Sequence, residues 1–321
     1  MPSEVFFGLE QVKPDSTSVL TVGSFDGLHR GHRAILEEMR RAADQRGSRT
    51  TAVTFEPHPQ LVLKKSGLPA IQILTTGEEK IALLQSCGVD RIVVIPFTPA
   101  FAQTPSQAFV REILHRGLGM KMIVIGHDHG FGRNREGDVE TLQRLGSELG
   151  FAVRELPPLE IESVAVSSTH IRQALLHGEL EKANAWLGYF YQLSGKAEHG
   201  AQRGRELGFP TLNLAPLHPH KLIPGNGVYT VRAKMAEGEF GGMMNIGMRP
   251  TFAGEMRVLE VHLFDFARPA YDEICTVRFV ARLRDEKKFE TIAELQQQLR
   301  RDKTESQHAL SQMMNKSGFQ T

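Results

Sequence analysis

Cysteine is scarce in this chain of 321 residues: Cys87 and Cys275 are the only two, and they form no CxxC pair. We therefore expect neither a disulfide framework nor a cysteine-type structural zinc site, and we expect a reducing, cytoplasmic location. Long apolar runs are also missing, and stretches such as "RIVVIPF" are far too short to cross a bilayer. The first residues lack the basic-then-apolar order of a signal peptide.

A strong charge of either sign is absent as well. The chain has 38 Lys plus Arg against 37 Asp plus Glu, a formal net charge of +1. This balance favours neither nucleic acid nor a membrane as a partner, and local basic patches remain available for an anionic small molecule. As a separate expectation, the chain is a monomer or weak oligomer. The length exceeds that of one ordinary domain and predicts two.

The two common phosphate-binding loops are missing too. Neither GxxxxGK[ST] nor GxGxxG occurs anywhere in the sequence. Any nucleotide site must therefore be built differently.

The first ~185 residues alternate short apolar runs with helical patterns, as in doubly wound α/β domains. Strands are predicted near residues 19–23, 51–55, 91–95, 122–126 and 151–156. Helices are predicted near residues 32–46, 77–87, 105–117 and 138–149. The near-continuous apolar strands indicate a parallel sheet with helices on both faces, which places ligands at the carboxyl ends of the strands.

The pattern changes from about Tyr191, with the junction near residues 187–191. Five strand-like segments with little helix follow, and Leu259, Val261 and Leu263 alternate with polar residues. This indicates an antiparallel barrel or sandwich, followed in the chain by a long polar helix near residues 290–314. We predict domains over residues 1–187 and 188–321.

A glycine-rich turn with two histidines follows the first of these strands, in "TVGSFDGLHRGHRAIL". Gly23 and Gly31 allow close approach of the backbone to a ligand, and the following helix N-terminus suits a phosphate. His29 and His32 add hydrogen-bond donors at the same end. Zinc is an alternative, with "EPHP" or "GHDHGFG" supplying a third ligand, but the glycines favour phosphate.

Three later segments carry further polar groups. "VSSTHIRQALLHG" places Arg172 one turn into a helix that Ser167, Ser168 or Thr169 would cap; alone, it is typical of an ordinary capped helix. "VIGHDHGFGRNREGD" follows another strand and forms either a loop beside the nucleotide or a surface turn. In "GFPTLNL", Thr211 and Asn213 offer hard oxygen ligands suited to Mg²⁺, although such residues near a turn are mostly structural.

Together these motifs resemble known families. "HRGH" fits the HxGH signature of the nucleotidyltransferase superfamily. From Gly23 to about Asp302 the chain is similar to the bacterial bifunctional riboflavin kinase/FMN adenylyltransferases, also called FAD synthetases. The shared segments are, in order, "GSFDGLHRGH", "TFEPHP", "GHDHGFGRNREGD", "SSTHIR", "GRELGFPTLNL", "IPGNGVYTV", "NIGMRPTF", "LEVHLFDF" and "VRFVARLRDEKKF".

The resemblance implies a Rossmann-like nucleotidyltransferase domain, then a six-stranded antiparallel riboflavin kinase barrel and a long helix. It implies that riboflavin is phosphorylated to FMN and FMN adenylylated to FAD, each with ATP, and that Mg²⁺ is a cofactor. Catalytic roles would fall to His29, His32, Arg172 and Glu260. Nucleotide would be bound by Gly23, Phe25, Asp26, Gly31, Asp128, Ser168, Thr169, Gly204, Arg205, Gly208, Pro210, Thr211 and Asn213, of which Thr211 and Asn213 would also hold the metal.

One position departs from the family pattern: His129 stands where many relatives have phenylalanine in the loop. The alternatives are a single-function enzyme, a flavin-sensing binder without turnover, and a relative of the aminoacyl-tRNA synthetases, the last disfavoured by the lack of a basic tRNA-binding face.

Overall fold

The computed structural model of this chain describes residues 2–63, 67, 69–127, 130–198, 207–251, 254–266 and 268–315. These residues form two compact units, Met1–Ser168 and Thr169–Thr321. The predicted domain boundary at residues 187 and 188 stays a prediction.

The first unit contains a six-stranded parallel sheet, as the apolar strand pattern predicts. Its strands are β1 (Glu4–Phe7), β2 (Val19–Val22), β3 (Thr50–Glu56), β4 (Arg91–Pro96), β5 (Met122–Gly126) and β6 (Ala152–Leu156). They lie side by side in the order β1-β4-β3-β2-β5-β6. A two-stranded ribbon of β7 (Glu160–Ile161) and β8 (Val164–Ala165) follows.

Helices cover both faces of this sheet. They are α1 (Arg30–Asp44), α2 (Pro59–Val62), α3 (Gly77–Ser86), α4 (Ser106–Ala108), which continues as the π-helix Phe109–Gly117, and α5 (Val139–Leu149). Leu36 and Met39 of α1 pack into the core on one face, whereas Leu142 and Leu145 of α5 pack into the core on the other. Alternate strand residues supply each core, for example Val19 to the first and Leu20 to the second.

The strand order reverses direction between β2 and β5. Strands β3 and β4 follow β2 on one side, and β5 and β6 extend the sheet on the other. In doubly wound sheets this switch point opens a crevice at the carboxyl ends of the strands. The loop that carries His29 and His32 follows β2 and therefore belongs to this crevice, which Gly126 at the end of β5 borders on the other side.

The second unit contains a closed six-stranded antiparallel barrel. Helices α6 (Ser168–Leu176) and α7 (Leu180–Leu187) precede it. The strands are β9 (Gln192–Glu198), β10 (Leu212–Pro216), β11 (Gly227–Met235), β12 (Gly238–Thr251), β13 (Gly254–Leu263) and β14 (Ile274–Arg284), in the closed order β10-β13-β12-β11-β14-β9. Of the two arrangements that alternation alone allows, the barrel is the one that forms.

Strand β13 has distinct inner and outer faces. Leu259, Val261 and Leu263 are buried, as their alternation predicts. On the opposite face, His262 pairs with Met243 of β12, and Met243 belongs to an apolar cluster with residues of the final helix. Because that helix packs outside the barrel, Glu260 and His262 lie on the outer face.

The final helix, α8 (Ile292–Asn315), is joined to the barrel through buried polar contacts as well as apolar ones. Asp302 is fully buried and accepts two hydrogen bonds from the Arg284 guanidinium, with Nε to Oδ1 at 3.0 Å and Nη2 to Oδ2 at 2.7 Å. Gln298 donates to the same carboxylate at 2.9 Å. Ser306 and Thr230, both fully buried, form a hydroxyl–hydroxyl hydrogen bond of 3.1 Å.

Candidate active sites

The turn after β2 has an unusual backbone conformation. Phe25, Gly27 and Leu28 have positive φ angles of 48°, 79° and 31°. For Phe and Leu this conformation costs energy, and such strain persists only where the surroundings impose it, which is most often at functional sites. The Phe25 ring is buried and lies edge-on to the His32 ring, with 5.3 Å between their centroids.

Asp26 holds this turn in place. Its buried carboxylate accepts hydrogen bonds from the backbone N–H groups of Leu74 and Thr75, both at 2.9 Å. The Thr75 hydroxyl in turn accepts a hydrogen bond from the Gly27 N–H at 3.0 Å. The Leu74 N–H also reaches the second oxygen, Oδ2, at 3.1 Å, so both oxygens of Asp26 have protein partners. The predicted contact of Asp26 with nucleotide stays a prediction.

His29 and His32 lie together at the start of α1. The helix begins at Arg30, two residues before the predicted start, and His29 is its N-cap, with Nδ1 accepting the His32 backbone N–H at 3.4 Å. The two rings stack with 3.7 Å between centroids and 19° between planes. A Cβ on Gly31 would lie 3.1 Å from His29 Nδ1, so glycine leaves room for this stack.

The His32 ring is held neutral. Burial, and after it the adjacent His29, lowers the pKa of His32 well below its usual value. Its Nδ1 atom is buried and has no hydrogen-bond partner among the described residues. Because unpartnered buried N–H groups are rarer than unpartnered acceptors, we place the ring proton on Nε2.

We expect His32 to remain neutral when ordinary histidines become protonated. In a pH titration of the ligand-free protein followed by ¹H–¹⁵N NMR of the imidazole rings, one of the 13 histidines should titrate well below ~6.5. That signal should be missing from His32→Asn.

The sign of the linked effect on stability follows from the lowered pKa. The unfolded chain binds the proton more tightly, so the contribution of His32 to the free energy of unfolding is fully present above ~6.5 and is lost as pH falls toward the folded-state pKa. An ordinary titration midpoint for His32 would contradict this account.

The other predicted residues of this site fall in three groups. The Ser168 hydroxyl donates to the Asp26 carbonyl at 2.9 Å, which ties the start of α6 to the strained turn. Thr169 and Arg172 lie on α6 beyond the end of the first unit, and their roles stay predictions. Asp128 and His129 lie outside the described residues.

The second candidate site is a row of polar side chains on the outer face of the barrel. Asn213 of β10 pairs directly with Glu260 of β13, and Glu260 pairs with Asn245 of β12 on its other side. Residues directly paired across antiparallel strands project from the same face. The carboxylate of Glu260 is thus flanked by two amides, and all three residues are partly exposed.

The segment leading into β10 carries the remaining predicted kinase residues. Thr211 is exposed and immediately precedes β10, so it reaches the same face as Asn213. Pro210 and Gly208 are exposed, and Gly208 has a φ of 81°, which favours glycine. Gly204 and Arg205 lie outside the described residues.

Sequence reasoning missed two polar residues beside this row. Asn245, in "NIGMRPTF", is found only when strand register is known. His262 is buried beside Glu260, and its Nδ1 lies 2.8 Å from the Pro210 carbonyl oxygen. Its place two residues after Glu260 in the alternating "LEVHLF" was the available signal, since such residues share a face.

The described residues contain no group of three or more His, Cys, Asp or Glu side chains arranged to bind a metal ion. The zinc alternative for "HRGH" therefore has no third ligand in that part of the chain. In the barrel, the oxygen donors near Glu260 fit Mg²⁺, which takes few protein ligands and relies on substrate phosphates.

No helix in the described ranges is both long and apolar enough to cross a membrane.

Two family models match this chain and divide it as the fold does. The FAD synthetase model matches residues 11–170, and the riboflavin kinase model matches residues 187–310. The first range contains strands β2 to β6 of the parallel sheet and the histidine pair. The second contains the barrel with the polar row.

Individual relatives match both halves together. The chain is 38% identical over 290 residues to the bifunctional riboflavin kinase/FMN adenylyltransferase of Escherichia coli strain K12, covering 90% of this chain and 91% of that protein. It is 36% identical to the protein of the same name from Haemophilus influenzae, covering 88% and 91%. A Streptococcus pneumoniae crystal structure, described as a macrolide-efflux protein, has a TM-score of 0.86 at 30% identity and covers 96% of this chain and 99% of its own. This chain belongs to the bifunctional riboflavin kinase/FMN adenylyltransferase family.

Proposed function

We propose that the two candidate sites divide the formation of FAD between them. The barrel phosphorylates riboflavin with ATP, and the parallel-sheet unit adenylylates the resulting FMN with a second ATP. The observation that carries the proposal is the strand register that sets Asn213 directly opposite Glu260. This register supports the proposal because the carboxylate proposed as the base and the amide oxygen proposed as a metal ligand project from the same face of the barrel.

In the kinase step, Glu260 accepts the proton of the ribityl 5′-hydroxyl as that oxygen attacks the γ-phosphorus of ATP. The bond between the β,γ-bridging oxygen and the γ-phosphorus breaks, and ADP leaves. Thr211 and Asn213 would hold Mg²⁺, which supplies charge neutralisation of the phosphates when bound. Asn245, as a neutral donor on the far side of Glu260, helps to orient the carboxylate. Gly204, Arg205, Gly208 and Pro210 would cover the nucleotide.

In the transferase step, an oxygen of the FMN phosphate attacks the α-phosphorus of ATP, and pyrophosphate leaves. The nucleophile is already an anion, so no general base is needed. His29 and His32 would donate hydrogen bonds where charge develops, with the Nε2–H of His32 as the available donor. Phe25 and Asp26 maintain the turn that places both rings, and Gly23 and Gly31 keep it open to the nucleotide.

The remaining residues predicted for the transferase step are Ser168, Thr169 and Arg172 at the start of α6. Their hydroxyl groups and guanidinium would stabilise the charge of the phosphates. Asp128 would contact nucleotide or flavin.

The cellular location, partners and oligomeric state that we propose are those expected from the sequence. Two cysteines without a CxxC pair and a formal charge of +1 fit a cytoplasmic enzyme that acts on small molecules, without nucleic acid or membrane partners, as a monomer or weak oligomer.

A product assay tests the proposal. Incubation with riboflavin, ATP and Mg²⁺, resolved by chromatography, should give FMN first and then FAD, and chelation of Mg²⁺ should stop both steps. FMN without FAD would eliminate the transferase reaction. Tight flavin binding without consumption of ATP would instead identify a flavin-binding protein.

A further inference from the structure

The backbone ladder between β10 and β13 ends just before the predicted metal ligand Thr211. Its paired residues are Leu212 with Val261 and Asn213 with Glu260. Continued by one step, the same register would set Thr211 opposite His262. The residue before Thr211 is Pro210, which has no N–H with which to extend a ladder. Backbone pairing therefore holds Thr211 on one side only.

The side chain of His262 contacts the chain on the other side of Thr211, at Pro210. Its Nδ1 lies 2.8 Å from the Pro210 carbonyl oxygen. A carbonyl oxygen only accepts hydrogen bonds, so Nδ1 carries the proton and donates. The contact thus fixes the residue immediately before Thr211, while the ladder fixes the residue immediately after it.

Packing holds the His262 ring in the orientation that this hydrogen bond needs. The ring is 7% exposed. It lies edge-on to Phe209, with centroids 5.2 Å apart, and to Phe264, at 5.7 Å. Phe209 and Phe264 also belong to the apolar cluster under α8. Because the ring is confined in this way, its hydrogen bond holds the Pro210 carbonyl at a fixed position relative to β13.

We propose that His262 is a positioning residue of the kinase site: it donates to Pro210 and thereby holds Thr211 where it binds the metal and the ATP phosphates. The inference rests on the role proposed above for Thr211. It assigns to His262 no contact with substrate.

The hydrogen bond does not act as a pH switch. Burial lowers the pKa of His262, the bond to Pro210 raises it, and the positive charge of Lys303 lowers it again. Nδ1 carries a proton both in the neutral tautomer required here and in the imidazolium, so the donor is present in either state.

Three substitutions separate the hydrogen bond from the packing. His262→Phe keeps a ring between Phe209 and Phe264 but removes the donor. The amide nitrogen of His262→Asn lies the same number of bonds from Cβ as Nδ1, so it can still reach Pro210. The amide of His262→Gln lies one bond farther and matches Nε2 instead.

We expect His262→Phe and His262→Gln to raise the KM for MgATP in FMN formation by about tenfold, which corresponds to the net free energy of one hydrogen bond. We expect kcat to change by no more than about threefold, and His262→Asn to restore the KM to within about threefold of wild type. Adenylylation of added FMN by the same variants is the internal control for folding, and it should stay unchanged.

The outcomes that overturn the inference are distinct. If His262→Phe left the KM unchanged, or if His262→Asn were as impaired as His262→Phe, donation to Pro210 would not position the site. An equal loss of both activities would indicate general destabilisation and would refute a local role. Thr211→Ala tests the premise: if its KM for MgATP is that of wild type, the proposed role of Thr211 fails, whereas a raised KM with a normal His262→Phe refutes the positioning role alone.

Discussion

Glu260→Gln is expected to abolish FMN formation while the protein still converts added FMN to FAD. Glutamine keeps the shape and the hydrogen-bonding reach of the side chain but cannot take the proton of the attacking hydroxyl. Loss of a general base typically lowers kcat by about 10²- to 10⁴-fold. The measurement is chromatographic separation of flavins after incubation with either riboflavin or FMN, with ATP and Mg²⁺ in both cases.

Glu239→Gln is the matched control for this prediction. Glu239 lies on β12 in the same alternation as Asn245, and so on the outer face of the barrel, where it pairs with Arg232 and Arg278. Such partly exposed ion pairs contribute little to stability, so this variant should form FMN at nearly the wild-type rate. If Glu260→Gln still made FMN from riboflavin at a comparable rate, Glu260 would not be the base.

His32→Ala is expected to give the opposite result: riboflavin is converted to FMN, and the reaction stops there. Loss of one hydrogen-bond donor that stabilises the charge of a transition state lowers kcat by about 10²- to 10³-fold. The alanine variant also removes the ring that stacks on His29 at 3.7 Å. Accumulation of FMN without FAD, followed over time by chromatography, is the readout.

His115→Ala serves as the control for the histidine variant. His115 lies near the end of the π-helix that leads back to the start of β5, and its ring contacts Phe151 at 6.1 Å. It therefore belongs to the amino edge of the sheet, away from the crevice, and its removal should leave FAD formation close to normal. Loss of FMN formation in His32→Ala would contradict the assignment of the two reactions to separate sites.

The local parts of the site could be predicted from the sequence because local chemistry determines them. The strand that ends in Gly23 and the helix that follows His29 are separated by a few residues, so hydrophobic periodicity and glycine placement suffice to locate the phosphate-facing turn. The same holds for the alternation around Glu260, which correctly placed it opposite Leu259 and Val261. The unpredicted β1 and α7 are short elements with weak periodicity, and tertiary packing decides them.

Contacts between distant segments could not be predicted in this way. Asn245 faces Glu260 only because of the register between β12 and β13, and a shift of one residue would turn its side chain to the other face. Asp26 illustrates the same limit. The sequence gives no sign that both of its oxygens contact backbone N–H groups 48 and 49 residues away.

The ion pair between Arg284 and the buried Asp302 has a consequence for the geometry of the barrel wall. Apolar contacts alone let a helix slide or rotate by small steps, whereas a two-pronged guanidinium–carboxylate contact permits a single axial setting. That setting determines where the next residue, Lys303, lies: its ammonium is 5.5 Å from the centroid of the Phe264 ring. Phe264 in turn borders His262. The axial position of the terminal helix is thus linked, through the contact of Lys303 with Phe264 and that of Phe264 with His262, to the outer face of β13 that carries Glu260.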